Sequence, residues 1–212
     1  MTAGVRAGVG RRCYPRSTTM VPSGRRHHRY TYAQYVGLER DSPTKHEFLD
    51  GEIYAMAGGS EDHSALAANV VAALVRAVED RPCRVHTSDL RIYVEAVGLA
   101  TFPDGAVICG PMQQHAPSPN ATAINPVVLV EVTSDSSEQY DTGDKLEAYR
   151  TIPTLCDMIL VSHRERRITV HHRDPAGTWT MRVAIAGGRV AVDSIAAELS
   201  VDAIYRHSSI ET

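Results

Sequence analysis

Three acids and one amine stand where phosphate chemistry could be assembled. Asp104 follows Pro103 just before the apolar run Ala106–Cys109, and Glu131 closes the valine-rich run Val127-Val128-Leu129-Val130. Glu47 opens a segment that ends in Asp50-Gly51. A carboxylate at the end of a buried strand loses solvation, which is costly unless a cation or a donor compensates. Two or three converging oxygens suit Mg²⁺, which keeps several waters and takes further ligands from phosphate. Such an ion polarises a phosphoryl oxygen and lowers the pKa of a bound water. Lys145 is the candidate ammonium beside it, placed to orient that water and steady developing negative charge. The chain has two lysines, Lys45 and Lys145, against twenty arginines. In so Arg-biased a sequence, a lysine hints at a position where a compact point charge is wanted. Each residue also has a plainer role. Asp104 could be a turn acid, Glu131 a strand-end ion pair, and Lys145 the i, i+4 partner of Asp141.

The elements that must position these groups follow from periodicity. Thr31 reads as the N-cap of a short helix carrying Tyr32, Tyr35, Val36 and Leu38. The Asp50-Gly51 pair between apolar segments predicts a type I′ hairpin. Leu66, Val70, Val71, Leu74, Val75 and Val78 recur at the helical period over 60–79, with Ser60 as cap and Pro82 past the end. Strands are expected at Arg84–Thr87, Leu90–Val94, Ala106–Cys109 and Pro126–Thr133, with a Pro-, Gln- and Asn-rich loop over 111–125. A helix follows at 139–150, with Leu146 and Tyr149 on one side. The C-terminal part reads as a meander, Leu155–Val161, Arg166–His172, Trp179–Ala186 and Arg189–Val192, turning at Asp174-Pro175-Ala176-Gly177 and Gly187-Gly188. Ser200 starts a last short helix. A mixed sheet flanked by helices is the architecture this order implies.

Composition narrows the class. At 212 residues and 43% hydrophobic, the chain fills one core. No apolar run approaches the ~18 residues of a membrane span. The four cysteines, at 13, 83, 109 and 156, lie far apart and lack zinc-binding spacing. Scattered thiols without a secretory signal predict a reducing cytoplasm. Residues 1–29 carry seven arginines and no acid, and read as a disordered arm dispensable for folding. The arm would add non-specific phosphate affinity, although a start at Met20 would remove most of it. His63, near the start of the long helix, could approach the acids but reads first as a cap or surface residue, His171-His172 reads as surface, and Trp179 as core rather than a base-stacking platform. A Gly-rich phosphate loop and a Gly-x-Ser-x-Gly elbow are both absent, which leaves NTPase and serine-hydrolase readings without support.

Four segments together resemble a large bacterial family of restriction endonucleases, the Uma-two family of the PD-(D/E)XK superfamily. They are His46–Gly59, Thr101-Phe102-Pro103-Asp104, Pro126–Val132 and Tyr140–Arg150, and the resemblance runs from about Tyr30 to Tyr205. It implies an α/β fold, a restriction-endonuclease-like mixed β-sheet flanked by helices with a C-terminal antiparallel meander. Residues 30–212 would form that domain after the 1–29 arm. It also implies that Asp104 is the PD aspartate, Glu131 the second acid and Glu47 the early glutamate, all candidate ligands of Mg²⁺ or Mn²⁺. The lysine of the motif should stand two residues after Glu131, where this chain has Thr133; Lys145 matches a migrated lysine. Gly105, where a β-branched residue would suit the strand, is expected to loosen the site. The function implied is metal-dependent hydrolysis of DNA by a cytoplasmic homodimer, since cutting a duplex needs two centres. The rivals are a catalytically silent nucleic-acid-binding module of the same fold and a phosphodiesterase acting on RNA.

Overall fold

A computed structural model describes residues 28–56, 58–115 and 122–211. The predicted arm lies outside these residues except for His28 and Arg29, the latter paired with Asp50. Helix α1 (Tyr32–Asp41) precedes strands β1 (His46–Leu49) and β2 (Glu52–Ala55) and the long helix α2 (Glu61–Ala77). Strands β3 (Cys83–Thr87), β4 (Arg91–Val94), β5 (Leu99–Thr101), β6 (Gly105–Cys109), β7 (Thr122–Ala123) and β8 (Val128–Val132) follow. Helices α3 (Glu138–Thr142) and α4 (Asp144–Arg150) lead to β9 (Asp157–Val161), β10 (Arg167–Arg173) and β11 (Trp179–Ile185). The chain closes with β12 (Arg189–Val192), β13 (Ala197–Ser200) and helix α5 (Val201–Ile204).

Local chemistry accounts for the boundaries. Thr31 and Gln34 form a capping box at α1, and the Ser60 side chain accepts the His63 N–H at the start of α2. Asp50 (φ 45°) and Gly51 (φ 90°) take the two positive φ values of the hairpin turn. The strands build a six-stranded sheet, β11-β10-β9-β8-β6-β3, and a five-stranded one, β2-β1-β5-β4-β7, with β12–β13 as a separate pair. The six-stranded sheet is mixed: β8 and β9 run parallel while their neighbours are antiparallel. Alternation along β8 divides the core. Val128, Val130 and Val132 pack toward α2, whereas Leu129 packs with Leu146 and Tyr149 of α4. Glu131 is therefore on the α4 side.

Several expectations need correction. The single helix over 139–150 is two short ones, interrupted at Gly143. Part of the 111–125 loop pairs as β7, parallel to β4, and β5 is a further strand absent from the sequence reading. Cys83 and Cys109 are not scattered thiols but a disulfide, brought face to face by the β3–β6 ladder. His171 is buried beneath Arg150 and is not a surface residue. Trp179 is only partly buried, with Arg150 and Arg173 over its ring. At Gly105, where a looser site was expected, α2 and β8 approach the backbone closely: a Cβ there would lie 3.3 Å from Val71 Cγ2 and 3.4 Å from Val130 Cβ. Gly105→Val should therefore destabilise the protein by about 1–3 kcal/mol through overpacking between α2 and β8. Chemical denaturation would check this, and an unchanged midpoint would contradict the close approach. Among the described residues no helix is long and apolar enough to cross a membrane.

Candidate active site

Glu131 lies within the fully buried strand β8, where its carboxylate has left water with no compensation from the strand itself. The compensation comes from α4. Lys145 Nζ stands 2.9 Å from Glu131 Oε1, 3.1 Å from Glu47 Oε1 and 3.5 Å from Asp141 Oδ1, with the lysine side chain only 4% exposed. Glu47 reaches this point from β1, and Thr101 of the paired strand β5 donates its hydroxyl to the same Oε1. Tyr149, one turn beyond Lys145, donates to Glu131 Oε1 at 2.6 Å. One ammonium thus holds three carboxylates from two strands and a helix. The i, i+4 pair of Lys145 with Asp141 exists as well, across the break at Gly143.

The electrostatics follow from burial. Desolvation pushes the Glu131 carboxyl up to about 8; Lys145 opposes this, while Asp104 and Asp141 add to it. Asp141 is also raised, first by burial. Burial works against the Lys145 charge, but the surrounding groups, Glu131 foremost, hold its pKa well above the ordinary value. Burial likewise keeps the Tyr149 hydroxyl protonated, a donor to Glu131.

Asp104 stands at the mouth, just before β6. Its Oδ2 accepts the Val132 N–H at 2.8 Å and lies 3.3 Å from His63 Nε2. That carboxylate raises the His63 pKa, against the effect of burial. His63 therefore lines the site, the less favoured of the two readings that its sequence position offered. Its capping hydrogen bond uses only the backbone, and the ring is free to turn toward Asp104. Glu47, His63, Asp104, Glu131, Tyr140 and Lys145 line one cleft of about 1030 Å³. Thr133, where the motif lysine was expected, is buried with its hydroxyl 2.8 Å from His163 Nδ1.

The donor set can be tested against a metal. Among the described residues no three His, Cys, Asp or Glu side chains converge closely enough to hold an ion. The three-carboxylate set expected from sequence does not close up, because Glu47 is turned to Lys145 and Thr101. Asp104 and Glu131 remain, and the Asp104 charge adds to the rise of the Glu131 pKa. One or two carboxylates with water and phosphate completing the shell is the mode Mg²⁺ favours, so these residues fit a hard divalent ion on those terms.

A mixed sheet carrying buried acids and a lysine at one end, with a C-terminal antiparallel meander, defines a restriction-endonuclease-like α/β protein. The model of the Uma2 family, described as "Putative restriction endonuclease", matches residues 32–203, and the chain belongs to that family. An uncharacterized Synechocystis protein is 34% identical over 173 residues, covering 82% of this chain and 90% of its own. A second from the same organism is 28% identical over 151 residues, covering 71% and 85%. The crystal structure of "a putative nuclease belonging to DUF820" from Anabaena variabilis shares the fold with a TM-score of 0.63 at 20% identity. It covers 77% of this chain and 91% of that one.

Proposed function

We propose that this chain is a DNA endonuclease dependent on Mg²⁺, with Mn²⁺ able to substitute, hydrolysing phosphodiester bonds as a homodimer. The observation that carries the reading is the buried Lys145 ammonium bound to Glu131 in a cleft that also presents Asp104. Asp104 and Glu131 would hold the ion, which when bound polarises a phosphoryl oxygen and acidifies a water. The rest falls to the chain. Val132 N–H and His63 orient Asp104. Lys145 favours the anionic form of Glu131 and supplies positive charge where the attacking water must be positioned. Glu47, itself held by the Thr101 hydroxyl, and Asp141 fix the ammonium, so Glu47 acts through Lys145. Acting on DNA, the protein would work in the cytoplasm, where a disulfide such as Cys83–Cys109 is uncommon.

Incubating supercoiled plasmid with the protein and Mg²⁺ or Mn²⁺ tests the reading. Nicked or linear product should appear, and Asp104→Asn should lower its rate by roughly 10²–10³-fold, as for loss of one preorganised electrostatic group. Glu131 must lose its proton to bind an ion, so cleavage should climb as pH rises toward about 8. Binding without cleavage in any divalent metal would favour the silent module, and cleavage confined to RNA would favour the other rival.

A further inference from the structure

Strand β3 is a free edge of the six-stranded sheet. In its ladder with β6, Arg84 lies opposite Ile108 and His86 opposite Ala106. Ala106 and Ile108 belong to the layer on the α4 side, so Arg84 and His86 share the sheet face that carries Glu131. Ser88, two residues further on, already lines the acidic cleft. Around Arg84 is a second groove, of about 510 Å³, whose lining includes Arg81, Arg84, His86 and Met112 and no acid. Glu79 and Asp80 precede Arg81 in sequence but do not line it.

Arg29, Arg164, Arg167, Arg182 and Arg189 each face a carboxylate. Among the described residues Arg81 and Arg84, like Arg40, Arg76 and Arg206, are exposed and take part in no ion pair. Arg81 and Arg84 are the two that line this groove together, with no acid beside them. The His86 pKa is held down first by burial and then by Arg84, which indicates a positive field inside the groove. The Cys83–Cys109 disulfide ties the edge strand to β6 beside it, so the guanidinium groups stand on a fixed backbone. Planar guanidinium donors on such a backbone match phosphate oxygens. At ~3.3 Å per strand residue, Arg84 stands ~13 Å along β3 from Ser88 at the cleft. That is about four steps of a DNA strand at ~3.4 Å per phosphate along the axis.

We infer that the groove at Arg81 and Arg84 docks the phosphodiester backbone of DNA a few nucleotides from the bond held in the acidic cleft. This assignment rests on the nuclease reading above. It gives an otherwise acidic body a fixed point of attachment, separate from the N-terminal arginines.

The test is fluorescence anisotropy with a labelled DNA duplex over a range of salt, with chelator present, on the full chain and its R81A/R84A variant. Both arginines are exposed, so the melting temperature should not move. The affinity should fall about tenfold or more, and the slope of log K against log salt should shrink by about 2, roughly 0.9 per lost phosphate contact. In cleavage assays KM should rise with kcat little changed. Equal affinity and slope would overturn the groove while leaving the nuclease reading intact wherever the wild type still cuts plasmid. Weakened binding by the variant, with a wild type that never cuts in any divalent metal, would sustain the groove and defeat the nuclease reading. A wild type that binds no duplex at any salt would overturn the groove outright.

Discussion

Replacing Lys145 by methionine is expected to abolish cleavage and to cost about 3–5 kcal/mol of stability above about pH 8, where Glu131 carries its charge. Methionine keeps much of the side-chain volume, so contact with Tyr140 and Tyr149 is nearly preserved and the loss is one of charge. Glu131, Glu47 and Asp141 would be left buried with no ammonium among them. Carboxylates in that position respond by taking up protons, which limits the damage at low pH. The sign follows from linkage. A carboxyl whose folded pKa is raised stabilises the fold fully below its unfolded value, and that contribution is lost as pH rises through the folded one. Glu131 is already pushed up from 4.5 to about 8 with Lys145 present, and removal of the lysine pushes it further. The variant should therefore lie nearer wild-type stability at about pH 5 and fall away from it as pH rises through about 8, where the wild-type Glu131 gives up its proton and the variant's does not. Adding Glu131→Gln should restore most of the loss above about pH 8, because the two residues are coupled directly. Denaturant melts of the two variants near about pH 5 and about pH 9 would measure this. A Lys145→Met protein as stable as wild type near about pH 9 would remove Lys145 as the counter-ion of the cleft.

The sequence carried the parts of this centre that depend on local pattern. Asp50-Gly51 marked the hairpin that brings Glu47 forward, and Ser60 marked the start of α2, because turns and caps are decided by a few adjacent residues. The scarcity of lysine singled out Lys145, now found buried beside Glu131. What escaped depends on pairing between distant strands. Thr101 binds Glu47 only because β5 lies beside β1, and β5, three residues long, has too short a run for periodicity to register. Cys83 and Cys109 meet because β3 and β6 share a ladder, a fact that no spacing of 26 residues announces. Tyr149 was placed on the apolar side of its helix, correctly, but its hydroxyl became a donor only once Glu131 was known to face α4. His63 had a complete local explanation as a capped residue, and that explanation concealed the partner of its ring. Gly105 was misjudged for the same reason: strand propensity counts the residue alone, whereas Val71 and Val130 decide what fits there.

Magnesium is expected to raise the stability of the wild-type protein by mass action, about 2.7 kcal/mol at a hundredfold excess over the dissociation constant. For a chain of this size that corresponds to roughly 2–4 °C in melting temperature per kcal/mol. Asp104→Asn should lose most of this gain, since an amide oxygen is a weak substitute for a carboxylate on a hard cation. The metal-free comparison is a balance of two effects. Asp104 raises the pKa of Glu131, so its replacement relieves a like-charge contact. It also raises the pKa of His63, so its replacement removes a favourable pair. The asparagine side-chain oxygen can still accept the Val132 N–H, leaving no orphaned donor. The His63 contribution is fully present below the ordinary 6.5 and is lost as pH rises through the raised folded value. Without metal, the variant should thus be less stable than wild type near about pH 5, and equal or more stable near about pH 9, where relief of Glu131 is the only effect remaining. An Asp104 that served structure alone would instead give a variant less stable at both pH values and a wild type indifferent to Mg²⁺. Thermal melts of both proteins with metal and with chelator, at the two pH values, separate these outcomes by sign. Identical responses of the two proteins to metal would end the case for Asp104 as a ligand.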